Sequence, residues 1–217
     1  MNRPPEDRVS LCPQKLSAAL GLVIVPDAAT IQRAYALAKD TMPRDAQFTL
    51  SEGSLPHLTL YHGKLEGLPK NFVQTTLGTL RGELVGKQFT LKSIVAFGGN
   101  FIFWNVDSSS TGFETLQQSH LTALGIADYL DRSSVAKAVS EEALSLTEEE
   151  QENVKLFGHP LVRSLYTPHI TLGLHPGISE QLAPGLEHSW LFEVASVELV
   201  RVGHPGRVEE IIDLLPS

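Results

Sequence analysis

The chain has 217 residues, of which 42% are hydrophobic and 19% are charged, and its formal net charge is −8. This length and apolar content are sufficient for one large domain or two small lobes. The negative charge argues against a protein that holds long nucleic acid through many phosphate contacts, but it leaves nucleotides and RNA ends open as substrates. The single cysteine excludes an internal disulfide and a Cys-rich zinc site, and it favours a reducing, cytoplasmic location.

The N-terminal region predicts a tail followed by a strand. Residues 1–14 are polar and contain prolines, which is typical of a flexible tail. The apolar run at 20–25 is far too short to span a bilayer. Because Val-Ile-Val is followed there by Pro-Asp, we interpret the run as a buried strand ending in a turn, and not as the core of a signal peptide.

The first half of the chain alternates predicted strands and helices. Asp27 can cap the first helix, and the two glycines before Asn100 indicate a hairpin. The predicted elements are a strand at 20–25, a helix at 28–39, a strand at 57–62, a helix at 69–84 and strands at 88–96 and 101–106.

The second half predicts a similar order with an acidic segment inserted. Residues 131–157 are polar, acidic and partly helical; residues 147–150 form a capping box, and Gly158 is a plausible helix stop. The other predicted elements are a helix at 111–124, a strand at 169–174, a short helix at 178–182 and strands at 190–202 (as one or two) and 208–214. Each half thus has one strand followed by a helix and further strands, which predicts two similar lobes within one domain at 15–217.

Two nearly identical pentapeptides occur on predicted strands, Pro-His-Leu-Thr-Leu at 56–60 and Pro-His-Ile-Thr-Leu at 168–172. Since alternate side chains of a strand share a face, His57 and Thr59 point one way, and so do His169 and Thr171. A single His-x-Thr is commonly just a polar face of a strand. The paired occurrence, with a proline before and a leucine after each copy, indicates a functional site between the lobes.

The chemistry of these side chains suits a phosphodiester substrate. Two imidazoles that titrate near neutrality provide an acid and a base, and two hydroxyls can bind the non-bridging oxygens of a phosphate. Neither a metal nor a covalent intermediate is needed. The same groups could cleave a strained cyclic phosphodiester or support attack by a ribose 2′-hydroxyl.

The paired motifs resemble those of the 2H phosphoesterase superfamily, which includes 2′-5′ RNA ligase-like proteins and cyclic nucleotide phosphodiesterases. The resemblance implies an α+β fold of two pseudo-symmetric lobes, each an antiparallel sheet with helices on its outer face, around a central groove. It also implies that His57 and His169 are catalytic and that Thr59 and Thr171 bind the phosphate. The expected function is a metal-independent phosphodiesterase, without cofactor, acting on 2′,3′-cyclic phosphates or 2′-5′-linked nucleotides and RNA ends.

Other residues are weaker candidates for the site. By strand parity Tyr61 shares the face of His57 and is a candidate for substrate binding or for packing, whereas His62 has the opposite parity. Tyr166 is a second candidate for substrate binding, and Arg163 could also line the groove. An aromatic strand at 101–104 is interpreted as core more readily than as a platform for bases.

Two other functions remain possible from the sequence. One is a noncatalytic protein that binds nucleotides or RNA ends in the same groove. The other is a metal protein that uses the motif histidines as ligands, although further ligands at suitable spacing are missing near either motif. In each case we expect a monomer without membrane association or extended nucleic-acid binding.

Overall fold

The computed structural model describes residues 15–97, 100–133, 135, 146–178, 186–203 and 206–214. The predicted tail at 1–14 and most of the short helix predicted at 178–182 lie outside these ranges, and the boundary of the predicted domain at 15–217 stays a prediction. Within the described ranges, no helix has the length and apolar character needed to cross a membrane.

The described chain forms one connected antiparallel sheet with helices packed against it, so the predicted α+β class is confirmed. The strands are β1 (Lys15–Pro26), β2 (Phe48–Thr49), β3 (Leu58–Pro69), β4 (Gln88–Phe97), β5 (Phe101–Val106), β6 (His169–Leu174), β7 (Leu186–Gly203) and β8 (Arg207–Ile211). The helices are α1 (Ala28–Thr41), α2 (Lys70–Leu84), α3 (Phe113–Leu124) and α4 (Glu148–Phe157), with 3₁₀ turns at Gly125–Tyr129 and Arg163–Leu165.

The strand pairings fall into two groups, which also meet where β3 pairs with β6. One group contains β3, β1, β8 and the C-terminal half of β7, and the other contains β2, β6, β5, β4 and the N-terminal half of β7. The 18 residues of β7 pair with β4 first and with β1 afterwards, so this strand runs through both groups. The region predicted as one or two strands at 190–202 is therefore a single strand that joins the halves of the molecule.

Helix ends follow the predicted capping signals. The Asp27 side chain accepts a hydrogen bond from the Thr30 amide at 2.9 Å and begins α1. Thr147 and Glu150 form the reciprocal capping box of α4, and Gly158 ends this helix in the left-handed region with φ 69°. Helix α1 packs on β6 and β7, while α2 and α3 pack on the sheet around β3 and on each other.

The two faces of the sheet carry different groups of side chains. On β1, Leu20, Leu22 and Ile24 point into the main core beneath the helices. Val23 and Val25 point to the opposite face, where they form a small apolar cluster with Val200. This second face also carries the cavity described below.

Candidate active site

The two motif strands are neighbours in the sheet and meet at the middle residue of each motif. Leu58 of β3 pairs with Ile170 of β6, and this pair sets the register between the two strands. Both residues are buried, as are Leu60 and Leu172, with none more than 1% exposed. The alternation predicted for each motif is therefore present, with the apolar positions in the core.

The polar positions of both motifs lie on the other face and line one cavity. Because the strands are antiparallel, the Leu58 register places His57 opposite Thr171 and Thr59 opposite His169. All four side chains are half-buried and contribute to the wall of the cavity. The histidine of each motif thus lies beside the threonine of the other.

Each motif histidine is oriented by a carbonyl two residues upstream. The Nδ1 atom of His57 lies 2.8 Å from the Leu55 oxygen, and that of His169 lies 2.7 Å from the Thr167 oxygen. The proline between carbonyl and histidine restricts the backbone there, which helps to hold this geometry. Since a carbonyl only accepts, each Nδ1 carries a proton, and the neutral ring keeps its lone pair on Nε2.

Burial disfavours the protonated form of both motif imidazoles. Desolvation lowers the pKa of His57, against the opposing effect of its bond to Leu55. Desolvation also lowers the pKa of His169 to about 4, where the bond to Thr167 opposes the shift and the nearby His57 and His62 rings add to it. The phenyl ring of Phe103 stacks on His169 with ring centroids 3.6 Å apart, so one face of this imidazole is shielded from water.

A β-bulge on β3 reverses the strand parity just after the first motif. Leu22 of β1 pairs with Tyr61, but Val23 pairs with Thr59, so Leu60 is an extra residue on β3. The expectation that Tyr61 shares the face of His57 is therefore corrected, because Tyr61 turns into the core and is 2% exposed. Beyond the bulge, His62 points to the cavity instead, contrary to its sequence parity.

The cavity has a volume of about 640 Å³ and a composition unusual for such an acidic chain. Among its described lining residues there is no aspartate, glutamate or arginine, and Lys64 supplies the one fixed positive charge. Five histidines line it: His57, His62, His120, His159 and His169. The sequence motifs identified only two of these, because the other three converge through the bulge and through contacts between distant segments.

His120 connects the bulge to the segment before the second motif. Its Nδ1 lies 2.5 Å from the Leu60 carbonyl, and its Nε2 accepts a hydrogen bond from the Arg163 amide at 2.9 Å. The ring stacks on Tyr166 at 3.9 Å, and the Tyr166 hydroxyl donates to the Thr59 carbonyl at 3.1 Å. Burial lowers the pKa of His120, in keeping with a neutral ring that donates on one side and accepts on the other.

The two tyrosines proposed for substrate binding both border the cavity with their hydroxyls already engaged. Tyr61 donates to the Phe157 carbonyl at 2.6 Å, and Tyr166 is bound to Thr59. Burial raises the pKa of both phenols. Little of either ring is exposed, since Tyr61 is 2% and Tyr166 is 8% exposed. Arg163 is not among the lining residues; its guanidinium lies over the Phe157 ring at 6.0 Å.

An aromatic wall extends from His169 toward solvent. Phe103 stacks on Phe97 and Phe101 with ring centroids 5.2 and 5.7 Å apart, and all three line the cavity. The interpretation of strand 101–104 as core holds for Trp104 and Phe103, which are buried, whereas Phe101 is half-buried. Flat apolar rings beside a motif histidine form a surface on which a nucleobase can stack.

Metal ligands do not converge in the described part of the chain. No group of three or more histidine, cysteine, aspartate or glutamate side chains there has a geometry suited to a metal ion. The five cavity histidines are therefore not grouped as metal ligands.

Comparison with known proteins identifies the fold. No protein-family model and no curated protein sequence matches the chain. The structure is similar to TT0787 of Thermus thermophilus, with a TM-score of 0.55 and 16% identity over 90% of this chain and 95% of that one. It is also similar to E. coli LigT complexed with 3′-AMP, with a TM-score of 0.52 and 16% identity over 92% and 96% of the two chains. LigT complexed with NADP+ gives a TM-score of 0.52 and 17% identity over 91% and 95%.

These neighbours share the fold that the resemblance to the 2H phosphoesterase superfamily implied. The paired motifs predicted this fold, and the structural match confirms it. At 16–17% identity the match establishes the fold, and the activity has to be argued from the site itself.

Proposed function

We propose that this protein is a metal-independent phosphodiesterase that hydrolyses 2′,3′-cyclic phosphates or 2′-5′-linked nucleotides and RNA ends. The observation that carries the proposal is the cross-strand arrangement of the two motifs, in which each histidine lies beside the threonine of the other motif. The cytoplasmic location and the monomeric state predicted from the sequence are part of the same proposal.

The histidine tautomers suggest how the reaction proceeds. With Nδ1 bound to a backbone carbonyl, one neutral ring uses the Nε2 lone pair to take a proton from the attacking water. The other ring, protonated on Nε2, gives its proton to the leaving ribose oxygen. The P–O bond to that oxygen breaks as the bond to water forms, and the product is a phosphate monoester. The two rings exchange roles for the reverse reaction.

The size and chemistry of the cavity support a nucleotide substrate. A volume of about 640 Å³ suits a ligand of nucleotide size. The structural neighbour LigT has been crystallised with 3′-AMP and with NADP+, which are nucleotides. In this chain the aromatic wall beside His169 offers a stacking surface for the base, with Tyr61 and Tyr166 as further aromatic boundaries.

Removing a motif hydroxyl is expected to weaken catalysis less than removing a histidine. Thr59→Ala and Thr171→Ala each delete one hydrogen bond to a charged phosphate oxygen, so we expect kcat/KM to fall by about 10- to 100-fold. Thr59→Ser and Thr171→Ser keep the hydroxyl and should retain most of the activity. Steady-state kinetics on a 2′,3′-cyclic nucleotide compare the four variants; equal losses for Ala and Ser would indicate a packing role for the threonine.

A substrate panel assayed with and without EDTA tests the function. We expect turnover of nucleoside 2′,3′-cyclic phosphates or 2′-5′-linked dinucleotides, at rates that EDTA does not change, because the proposed chemistry uses imidazoles alone. Nucleotide binding without turnover of any member would favour the noncatalytic binder. Activity that is lost in EDTA and restored by zinc or manganese would favour the metal protein.

A further inference from the structure

Two cavity histidines outside the motifs form a pair of their own. His62 on β3 and His159, just after α4, lie with ring centroids 4.8 Å apart and an interplanar angle of 62°. Both are half-buried and line the cavity. The proposed reaction uses neither ring.

The tautomer of His159 differs from that of the motif histidines. The Leu161 amide donates to its Nδ1 at 3.1 Å, so Nδ1 carries the lone pair and the neutral ring has its proton on Nε2. His57 and His169 have the opposite arrangement, with Nδ1 protonated. The motif rings thus keep Nε2 as a base, whereas His159 keeps Nε2–H as a donor.

The charge environment of the pair favours an anion. No carboxylate lines the described cavity, so no side chain in its wall balances a charged His62 or His159. Burial, followed by the neighbouring imidazoles, lowers the pKa of His62 to about 4 and places that of His159 well below its usual value. The described titratable groups that share the cavity with the pair are His57, His120, His169, Tyr61, Tyr166 and Lys64.

Lys64 also lines the cavity, and its charge is paired with a carboxylate. Its ammonium group lies 3.0 Å from an Asp131 carboxylate oxygen, and its side chain is 62% exposed. An anionic ligand beside the histidine pair would itself supply the negative charge that allows an imidazole to become protonated.

We propose that His62 and His159 form a second phosphate-binding subsite next to the catalytic pair, so that the preferred substrate carries a phosphate in addition to the diester that reacts. The inference rests on the proposed function, and it specifies the substrate class as a phosphorylated nucleotide. The reacting phosphorus belongs between His57 and His169, beside the two threonines. The second phosphate then lies toward His62, whose ring is close enough to affect the ionisation of His169.

Binding of two stable nucleotides tests the subsite without requiring turnover. Adenosine 2′,5′-bisphosphate and adenosine 2′-monophosphate differ by one phosphate, and their dissociation constants can be compared by calorimetry at fixed pH and ionic strength. We expect the bisphosphate to bind about tenfold more tightly to the wild-type protein, because the added group gains charge-assisted hydrogen bonds. His62→Gln and His159→Gln should reduce this ratio toward one.

A matched control uses a histidine outside the cavity. His188→Gln makes the same chemical change at a residue that does not line it, and the ratio should stay at the wild-type value. A wild-type ratio near one, or a ratio that survives both cavity substitutions, would overturn the proposal.

Histidine ring signals in the NMR spectrum of the wild-type protein give a second readout that does not depend on how well a variant folds. The His62 and His159 signals should shift with the bisphosphate and much less with the monophosphate; equal shifts with both nucleotides would also overturn it.

A comparison of hydrolysis rates distinguishes a failure of this inference from a failure of the proposed function. If adenosine 2′,3′-cyclic phosphate and its 5′-phosphorylated form are hydrolysed equally well, the phosphodiesterase stands and the subsite fails. If neither is hydrolysed but the binding ratio behaves as expected, the subsite stands and the catalytic proposal fails.

Discussion

Replacing His57 or His169 by alanine is expected to lower kcat by about 10²- to 10⁴-fold, because in the proposed mechanism each ring serves as a positioned acid or base. The two losses should be similar in size, since the motifs hold their histidines in equivalent ways, each through Nδ1 and an upstream carbonyl. The double variant should be little worse than either single variant, because both rings act in one step. The measurement is kcat on a nucleoside 2′,3′-cyclic phosphate.

Two controls show whether such losses are catalytic. His188→Ala removes an imidazole that does not line the cavity and should leave kcat unchanged. Thermal unfolding of the His57 and His169 variants should show a folded protein, since both side chains are half-buried on the cavity face and outside the main core. A folded His57→Ala or His169→Ala protein with near-normal turnover would remove that residue from the mechanism.

The pH profile of kcat/KM is expected to be bell-shaped, with its maximum below pH 6.5. The proposed reaction needs one neutral and one protonated imidazole, and kcat/KM reports the pKa values of the free enzyme. Burial lowers the pKa of His57 below 6.5 and that of His169 to about 4. As pH rises through the upper pKa of the pair, the acid loses its proton and the rate falls about tenfold per pH unit; as pH falls through the lower one, the base is lost.

The profile of kcat should lie at higher pH than that of kcat/KM. A bound phosphodiester places a negative charge beside the rings, which favours their protonated forms and raises both pKa values. The measurement is a set of full kinetic curves between about pH 4 and pH 9. A kcat/KM maximum above pH 7.5 would show that the motif imidazoles are charged more easily than their burial indicates.

Substituting Phe103 tests whether the shielding of His169 sets the pH dependence of kcat/KM. Its ring covers His169, so Phe103→Ser should admit water, raise the pKa of His169 toward its ordinary value and move the kcat/KM maximum to higher pH. Phe97→Ser is the matched control, because the Phe97 ring stacks on Phe103 and lies one ring further from the imidazole. The two variants should therefore differ in pH optimum even if both lose affinity for the base.

The sequence predicted the parts of this site that depend on short-range rules. Strand alternation has a period of two, so His57 and Thr59 could be assigned to one face and Leu58 to the other without any structure. The caps of α1 and α4 were equally predictable, since each uses side chains within one turn of the helix.

The remaining parts depend on how distant segments meet. The bulge at Leu60 exists only relative to the partner strand β1, so the parity argument failed for Tyr61 and His62. His120 and His159 lie in segments without a motif, and tertiary contacts alone bring them into the cavity. The cross-strand proximity of each histidine to the other motif's threonine follows from a β3–β6 pairing between segments that are far apart in the sequence.

The long strand β7 also affects how the protein folds during its synthesis on the ribosome. Leu20 pairs with Arg201, so β1 leaves the ribosome long before the strand that completes its hydrogen bonds. Until β7 is synthesised, β1 and β4 each have one edge without that partner, and exposed edges attract strands of other chains. Contacts this far apart in sequence also slow folding. The strand that joins both halves of the sheet therefore delays completion of the sheet until residues 186–203 have been synthesised, and it leaves the nascent chain open to aggregation until then.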